Sequence, residues 1–178
     1  MEDKGFRPRA AAGGKKENSM KYRIISVGKI RENHYRQGIN EYLKRLRAYT
    51  PVELVEGLEE KVPPRAGDKE IANLLNKEAG RILNLVTRDD RLVLLDLKGQ
   101  TLSSVQLAGQ INSWNTGTFS RVNFIIGGPH GVDPEIKKRG HQTLALSALT
   151  LPHQMAVLVL CEQLYRSFRI IRGEPYHR

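Results

Sequence analysis

A chain of 178 residues, 39% hydrophobic and 27% charged, has the composition of one globular domain long enough to bury a real core. Its longest apolar run, Met155–Cys161, is far short of the ~18 residues that span a bilayer, so a soluble protein without membrane contact is expected. The formal net charge of +10 points to a phosphate-rich partner, because Lys and Arg release condensed counterions from nucleic acid on binding.

The positive excess is uneven: from Lys137 to Arg178 there are seven Lys or Arg against two acids. The one cysteine, Cys161, cannot form an intramolecular disulfide and lies inside the apolar run, the setting of a small core residue. Nothing suggests an oxidising compartment, and a cytoplasmic location is expected. No Cys/His cluster has metal-ligand spacing, so no metal is expected.

In chain order, Met1 to Ser19 reads as a disordered tail, with almost nothing apolar to offset ordering entropy. From Met20 onward strands alternate with helices. Tyr22 to Gly28 reads as a buried strand ending in a turn. Tyr35, Ile39, Tyr42, Leu43 and Leu46 share one helical face. Val52 to Val55 is a short strand, and Val62 to Gly67, with two prolines, is a loop. Asp68 is placed to cap a helix with Ile71, Leu74, Leu75, Ala79, Ile82 and Leu83 on its core face. Arg91 to Leu97 is a near-continuous apolar strand of the kind found in sheets covered on both faces. Ser103 or Ser104 caps a helix reaching about Trp114. Arg121 to Ile126 is another buried strand. Asp133-Pro134 opens a short helix that Gly140 closes. Thr143 to Ser147 is a strand, and a long helix follows from about His153 to Ile171. The pattern predicts one α/β domain over residues 20–178 with a mostly parallel sheet, without a repeat or second domain.

Three constellations carry the chemistry. Ile125-Ile126-Gly127-Gly128-Pro129-His130-Gly131 runs from a buried strand into a Gly-rich turn, at the strand end where ligands bind in open α/β sheets. It is neither the dinucleotide fingerprint nor the P-loop. Leu146 to His153 (LSALTLPH) is apolar, rich in small and hydroxyl residues, and ends at a helix start; its backbone groups suit the edge of a purine. In the last helix Glu162, Tyr165, Arg166 and Arg169 recur at helical spacing and form a polar stripe. The tail Gly173 to Arg178 is polar and aromatic, suited to stacking on a base and contacting phosphate. Taken singly, a tight turn, a buried connection and a frayed terminus are the simpler accounts of these features.

Their order is specific. IGGPHG, then LSALTLPHQM, then CEQLYRSFRIIRGEPYHR, with YRIISVGKI and the EYLKRL helix near the start, resembles the ribosomal RNA large-subunit methyltransferase H family of SPOUT enzymes. The resemblance covers Met20 to Arg178. It implies an α/β fold whose C-terminal part is threaded as a deep trefoil knot, a rare exception to the rule against knots. It further implies S-adenosylmethionine as cofactor, N3 of a pseudouridine in 23S ribosomal RNA as methyl acceptor, and a homodimer with each active site built across the interface. By position, Leu95, Gly127 and the loop of Leu146, Ser147, Ala148, Leu149, Thr150 and Leu151 would line the cofactor pocket. Arg166 and Arg178 would stabilise the developing anion and contact phosphate, Tyr176 would stack, and His153 or His177 would handle the proton. His153 serves equally well as a cap for the last helix. The rivals are a SPOUT enzyme acting on another RNA and a non-catalytic rRNA-binding protein; an α/β hydrolase is set aside because no GxSxG is present.

Overall fold

The computed structural model describes residues 20–176, and its architecture follows from how alternate side chains of the strands partition. In β1 (Lys21–Ser26) and β4 (Arg121–Ile126), Tyr22, Ile24, Val122, Phe124 and Ile126 join one core, while Ile25 and Ile125 join another on the opposite face. The period of two thus feeds both faces of the sheet. With β2 (Val52–Glu56), β3 (Asp90–Thr101) and β5 (Gln142–Ala145), these strands form one sheet in the order β2-β1-β4-β3-β5, every neighbouring pair parallel.

Helices α1 (Asn33–Leu46), α3 (Ser104–Asn115) and α5 (His153–Ile171) cover the first face, with α5 packed on both α1 and α3. Helices α2 (Asp68–Leu83) and α4 (Pro134–Arg139) cover the second. Helix α5 buries Ala156, Val157, Leu160, Cys161, Leu164 and Phe168. A fully buried Leu or Phe side chain contributes ~1.5–3 kcal/mol, so this helix is a principal anchor of the fold. Burial pushes the Cys161 thiol up to about 12, which leaves a core residue with no nucleophilic thiolate at neutral pH.

Most elements lie where the sequence places them, and the departures have local causes. The N-cap of α2 is Gly67, not Asp68: the Glu70 carboxylate turns back to accept the Gly67 N–H at 2.9 Å, leaving Asp68 in the first turn. Strand β3 runs on to Thr101 instead of ending at Leu97, because Gln100 and Thr101 pair with Leu144 and Ala145 after a register shift. That shift brings Gly99 so close to β5 that a Cβ would sit 2.5 Å from the Leu144 carbonyl carbon. Strand β5 is Gln142–Ala145 rather than Thr143 to Ser147; Leu146 and Ser147 already belong to the next loop. Gly140 ends α4 with extended backbone, where a Cβ would meet Leu94 Cδ1 at 2.8 Å, so packing rather than a left-handed turn calls for glycine. Among the described residues no helix is long and apolar enough to cross a membrane.

Candidate functional site

The middle of β3, level with the end of β4, and the carboxyl ends of β4 and β5 line a cleft of about 460 Å³, in the size range of small-molecule sites. Leu95 to Leu97 come from β3, Ile126 to Pro129 and Gly131 from the turn after β4, and Ala145 to Ser147 and Leu149 to Leu151 from the loop after β5, with Pro152, His153 and Ala156 at the start of α5 closing one side. The turn after β4 is built from glycine for stated reasons. A Cβ on Gly127 would lie 2.7 Å from the Gly131 carbonyl oxygen, and Gly131 adopts φ +80°, a left-handed conformation that side chains disfavour. The Gly131 N–H donates to the Gly128 carbonyl at 2.9 Å and holds the turn closed. In the loop after β5, Ser147 Oγ accepts the Leu149 N–H at 2.9 Å.

Of the residues proposed from sequence for the cofactor, the structure brings Leu95, Gly127, Leu146, Ser147, Leu149, Thr150 and Leu151 onto this cleft. Ala148 stands between Ser147 and Leu149, exposed and outside the lining. His153 also lines it. Its ring does not cap α5, whose N-cap is Pro152 without a side-chain hydrogen bond. Instead His153 Nε2 lies 3.1 Å from the Lys29 carbonyl, and the ring fills the space a Gly28 Cβ would need, 2.6 Å away. The carbonyl accepts from Nε2–H, so in the neutral ring Nδ1 is the nitrogen left free. Beside it Gln154 Oε1 accepts the Arg31 N–H at 2.6 Å and the Glu32 N–H at 3.0 Å, satisfying donors at the start of α1. The first turn of α5 is therefore locked to the β1–α1 loop, an arrangement that joins residues more than 120 apart in sequence and has no local signal.

The second group of candidate residues lies further along α5. Arg166 is tied to Glu162 through Nε at 3.0 Å and lies over the Tyr176 ring, 4.8 Å from its centroid. The Tyr176 hydroxyl donates to Glu162 Oε1 at 3.3 Å, and burial, followed by a hydrogen bond with Tyr42, pushes its phenol up to about 12. Glu162 keeps Arg166 fully charged. Tyr165 is not part of an exposed polar stripe: it is buried, edge-on to Tyr176 at 4.9 Å. Arg169 pairs with Glu174 at 2.9 Å. His177 and Arg178 lie outside the described residues. Arg166 is 13 positions beyond His153 on one helix, roughly 20 Å along its axis, so the cluster and the cleft of one chain are separate places.

The family described as "Predicted SPOUT methyltransferase" matches residues 20–177. The chain belongs to the SPOUT methyltransferase family. As a SPOUT methyltransferase it is an enzyme that draws on a methyl donor. Among its relatives, a protein of Syntrophomonas wolfei named "Ribosomal RNA large subunit methyltransferase H" is 57% identical over 159 residues, 89% of this chain and 100% of the relative. Proteins with the same name from Bacillus thuringiensis and Bacillus cytotoxicus are 45% and 43% identical over the same share of each chain.

Proposed function

We propose that this SPOUT methyltransferase transfers a methyl group from S-adenosylmethionine to N3 of a pseudouridine in large-subunit ribosomal RNA. The observation that carries the reading is the convergence of the middle of β3 with the segments that follow β4 and β5 on one cleft, in a chain whose relatives bear the name of an rRNA methyltransferase. The cleft suits the cofactor. Gly127 lets the turn pack closely against Gly131 at the edge of the cleft, Leu95, Leu146, Leu149 and Leu151 offer apolar walls, and Ser147 and Thr150 supply hydroxyls.

Leu95, Gly127 and the loop Leu146–Leu151, Ala148 included, would hold the donor. When bound there, S-adenosylmethionine supplies an electrophilic methyl on a sulfonium. The chain must hold the target ring in line, which is worth several kcal/mol, and accept the N3 proton, worth a further ~10²–10⁴-fold. His153 through Nδ1, or His177, would take that proton. Arg166 and Arg178 would stabilise the charge left on the ring and contact phosphate, and Tyr176 would stack on a base.

The reading includes a homodimer. Its support is the separation of roughly 20 Å between His153 and Arg166 on one helix, which a second copy would bridge by bringing its arginine cluster to each cleft. It also includes a single domain over residues 20–178 following a tail, a C-terminal deep trefoil knot, and a cytoplasmic location. The knot is supported by β5 lying at the sheet edge outside β3 while α5 returns to pack on α1 and α3. Calorimetry with S-adenosylmethionine, and transfer of labelled methyl to ribosomes lacking the modification with naked rRNA in parallel, test the proposal. Binding with label in large-subunit RNA is expected. Label confined to another RNA would change the substrate, and failure to bind the cofactor would leave an RNA-binding protein.

A further inference from the structure

Where the C-terminal ends of α1 and α5 meet, arginines and tyrosines alternate in a ladder of which only Arg166 and Tyr176 enter the chemistry above. We propose that the remainder of this ladder, Tyr42, Arg45 and Tyr49 with Arg172, is an RNA-binding surface that grips an unpaired stretch of the substrate strand next to the target nucleotide. The inference rests on the RNA substrate and on the homodimer proposed above, in which the ladder of one copy lies beside the cleft of the other.

The geometry is that of preorganised guanidinium planes. Arg45 lies 5.5 Å from the Tyr42 ring centroid and 5.8 Å from that of Tyr165. Arg172 lies 4.5 Å from the centroid of Tyr49. The rings themselves are packed together, Tyr42 to Tyr165 at 6.1 Å and Tyr49 to Tyr165 at 5.9 Å, and buried Tyr165 joins them to Tyr176. A guanidinium lying on a ring keeps its N–H edge free for a phosphate and loses little freedom on binding one. Tyr42 and Tyr49 remain partly exposed, so a splayed base has an aromatic face available.

Charge favours a polyanion. Three carboxylates orient the ladder: Glu41 holds Arg45 at 2.8 Å, Glu174 holds Arg169 at 2.9 Å and accepts the Tyr49 hydroxyl at 2.5 Å, and Glu162 holds Arg166. Arg172, exposed, makes only a 3.4 Å contact to the Ala48 carbonyl. Among the described residues, neither it nor the neighbouring Lys44 and Arg47 has a carboxylate within ion-pair distance, and the surplus charge is positive. An apolar protein partner would have to desolvate these charges, whereas a phosphodiester backbone pairs with them.

The test is binding of a fluorescent large-subunit rRNA fragment across a salt series to wild type and to the double variant Arg45→Ala/Arg172→Ala, both on the surface. Affinity for the RNA is expected to fall roughly tenfold, and the slope of log affinity against log salt to shrink by about 1 to 2, the share of two phosphate contacts. S-adenosylmethionine affinity and the oligomeric mass by light scattering should stay as in wild type. The Arg45→Lys/Arg172→Lys variant should recover the slope but not the full affinity, because the stacked fork is lost. Unchanged RNA affinity and slope would overturn the proposal. So would an affinity loss accompanied by a change in oligomeric mass, which would make the ladder a contact between copies of the chain. Wild type that binds RNA but transfers no methyl would sink the enzymatic reading and leave this surface still decided by the salt series.

Discussion

Replacing Gly127 with alanine should damage the cleft more than the same change one residue later. At position 127 the new Cβ would lie 2.7 Å from the Gly131 carbonyl oxygen, 2.8 Å from its carbon and 3.0 Å from Val132 Cγ1. Two of these are backbone atoms in a turn closed by the Gly131-to-Gly128 hydrogen bond at 2.9 Å, so the turn must move as a unit. Overpacking of this kind costs about 1–3 kcal/mol, or roughly 2–12 °C in Tm for a chain of this size. Displacing the turn's backbone by even one hydrogen bond to the methyl donor, ~0.5–1.5 kcal/mol, weakens binding roughly 2- to 12-fold. At Gly128 the Cβ meets only Val27 Cγ1, at 3.5 Å, an ordinary contact, and stability should change by less than about 0.5 kcal/mol. Thermal melts and calorimetry with S-adenosylmethionine on Gly127→Ala and Gly128→Ala read both effects. A Gly127→Ala protein that melts and binds like wild type, or a Gly128→Ala protein that suffers more, would refute the packing argument.

Arg166→Ala should lower single-turnover methyl transfer on the order of 10²–10³-fold while leaving cofactor affinity unchanged; undiminished turnover removes Arg166 from the chemistry. Gln154→Ala removes the acceptor of the Arg31 and Glu32 N–H groups and should cost about 1–2 kcal/mol, read by denaturant melts, with Gln154→Glu, which keeps the oxygen, much closer to wild type. Stability should also depend on His141. Its Nδ1 accepts the Leu92 N–H at 3.1 Å, and burial, then Arg91 and Arg139, hold its pKa below the ordinary value. A base with a depressed folded pKa stabilises the fold while neutral. That contribution is therefore present above the unfolded value of ~6.5 and lost as pH falls through the folded one. Melts from about pH 7.5 down to 5 should show the decline, and His141→Gln should flatten it.

What could be read from the chain was what repeats locally. RVNFII has no polar interruption except Asn123, and β4 occupies that stretch. Proline at 152 and the hydrophobic pattern after it set the limits of α5. The cleft residues were legible because strand ends carry ligands in this architecture and the motifs there are glycine-rich or small. The far half of β3 was not, since Lys98 to Thr101 is polar and becomes strand only through its shifted pairing with Leu144 and Ala145. Nor was the burial of Tyr165, a residue at polar-stripe spacing that the rings of Tyr42, Tyr49 and Tyr176 enclose. The lock between Gln154 and the start of α1 and the arginine–tyrosine ladder both join segments from opposite ends of the chain, and no window along the sequence contains them.

The most direct test of the account is to incubate the protein with S-adenosylmethionine and ribosomes lacking the modification, digest the large-subunit RNA, and locate the added methyl by mass. The account predicts one methyl, on N3 of one pseudouridine. A methyl on a ribose or another base, or none despite bound cofactor, would contradict it.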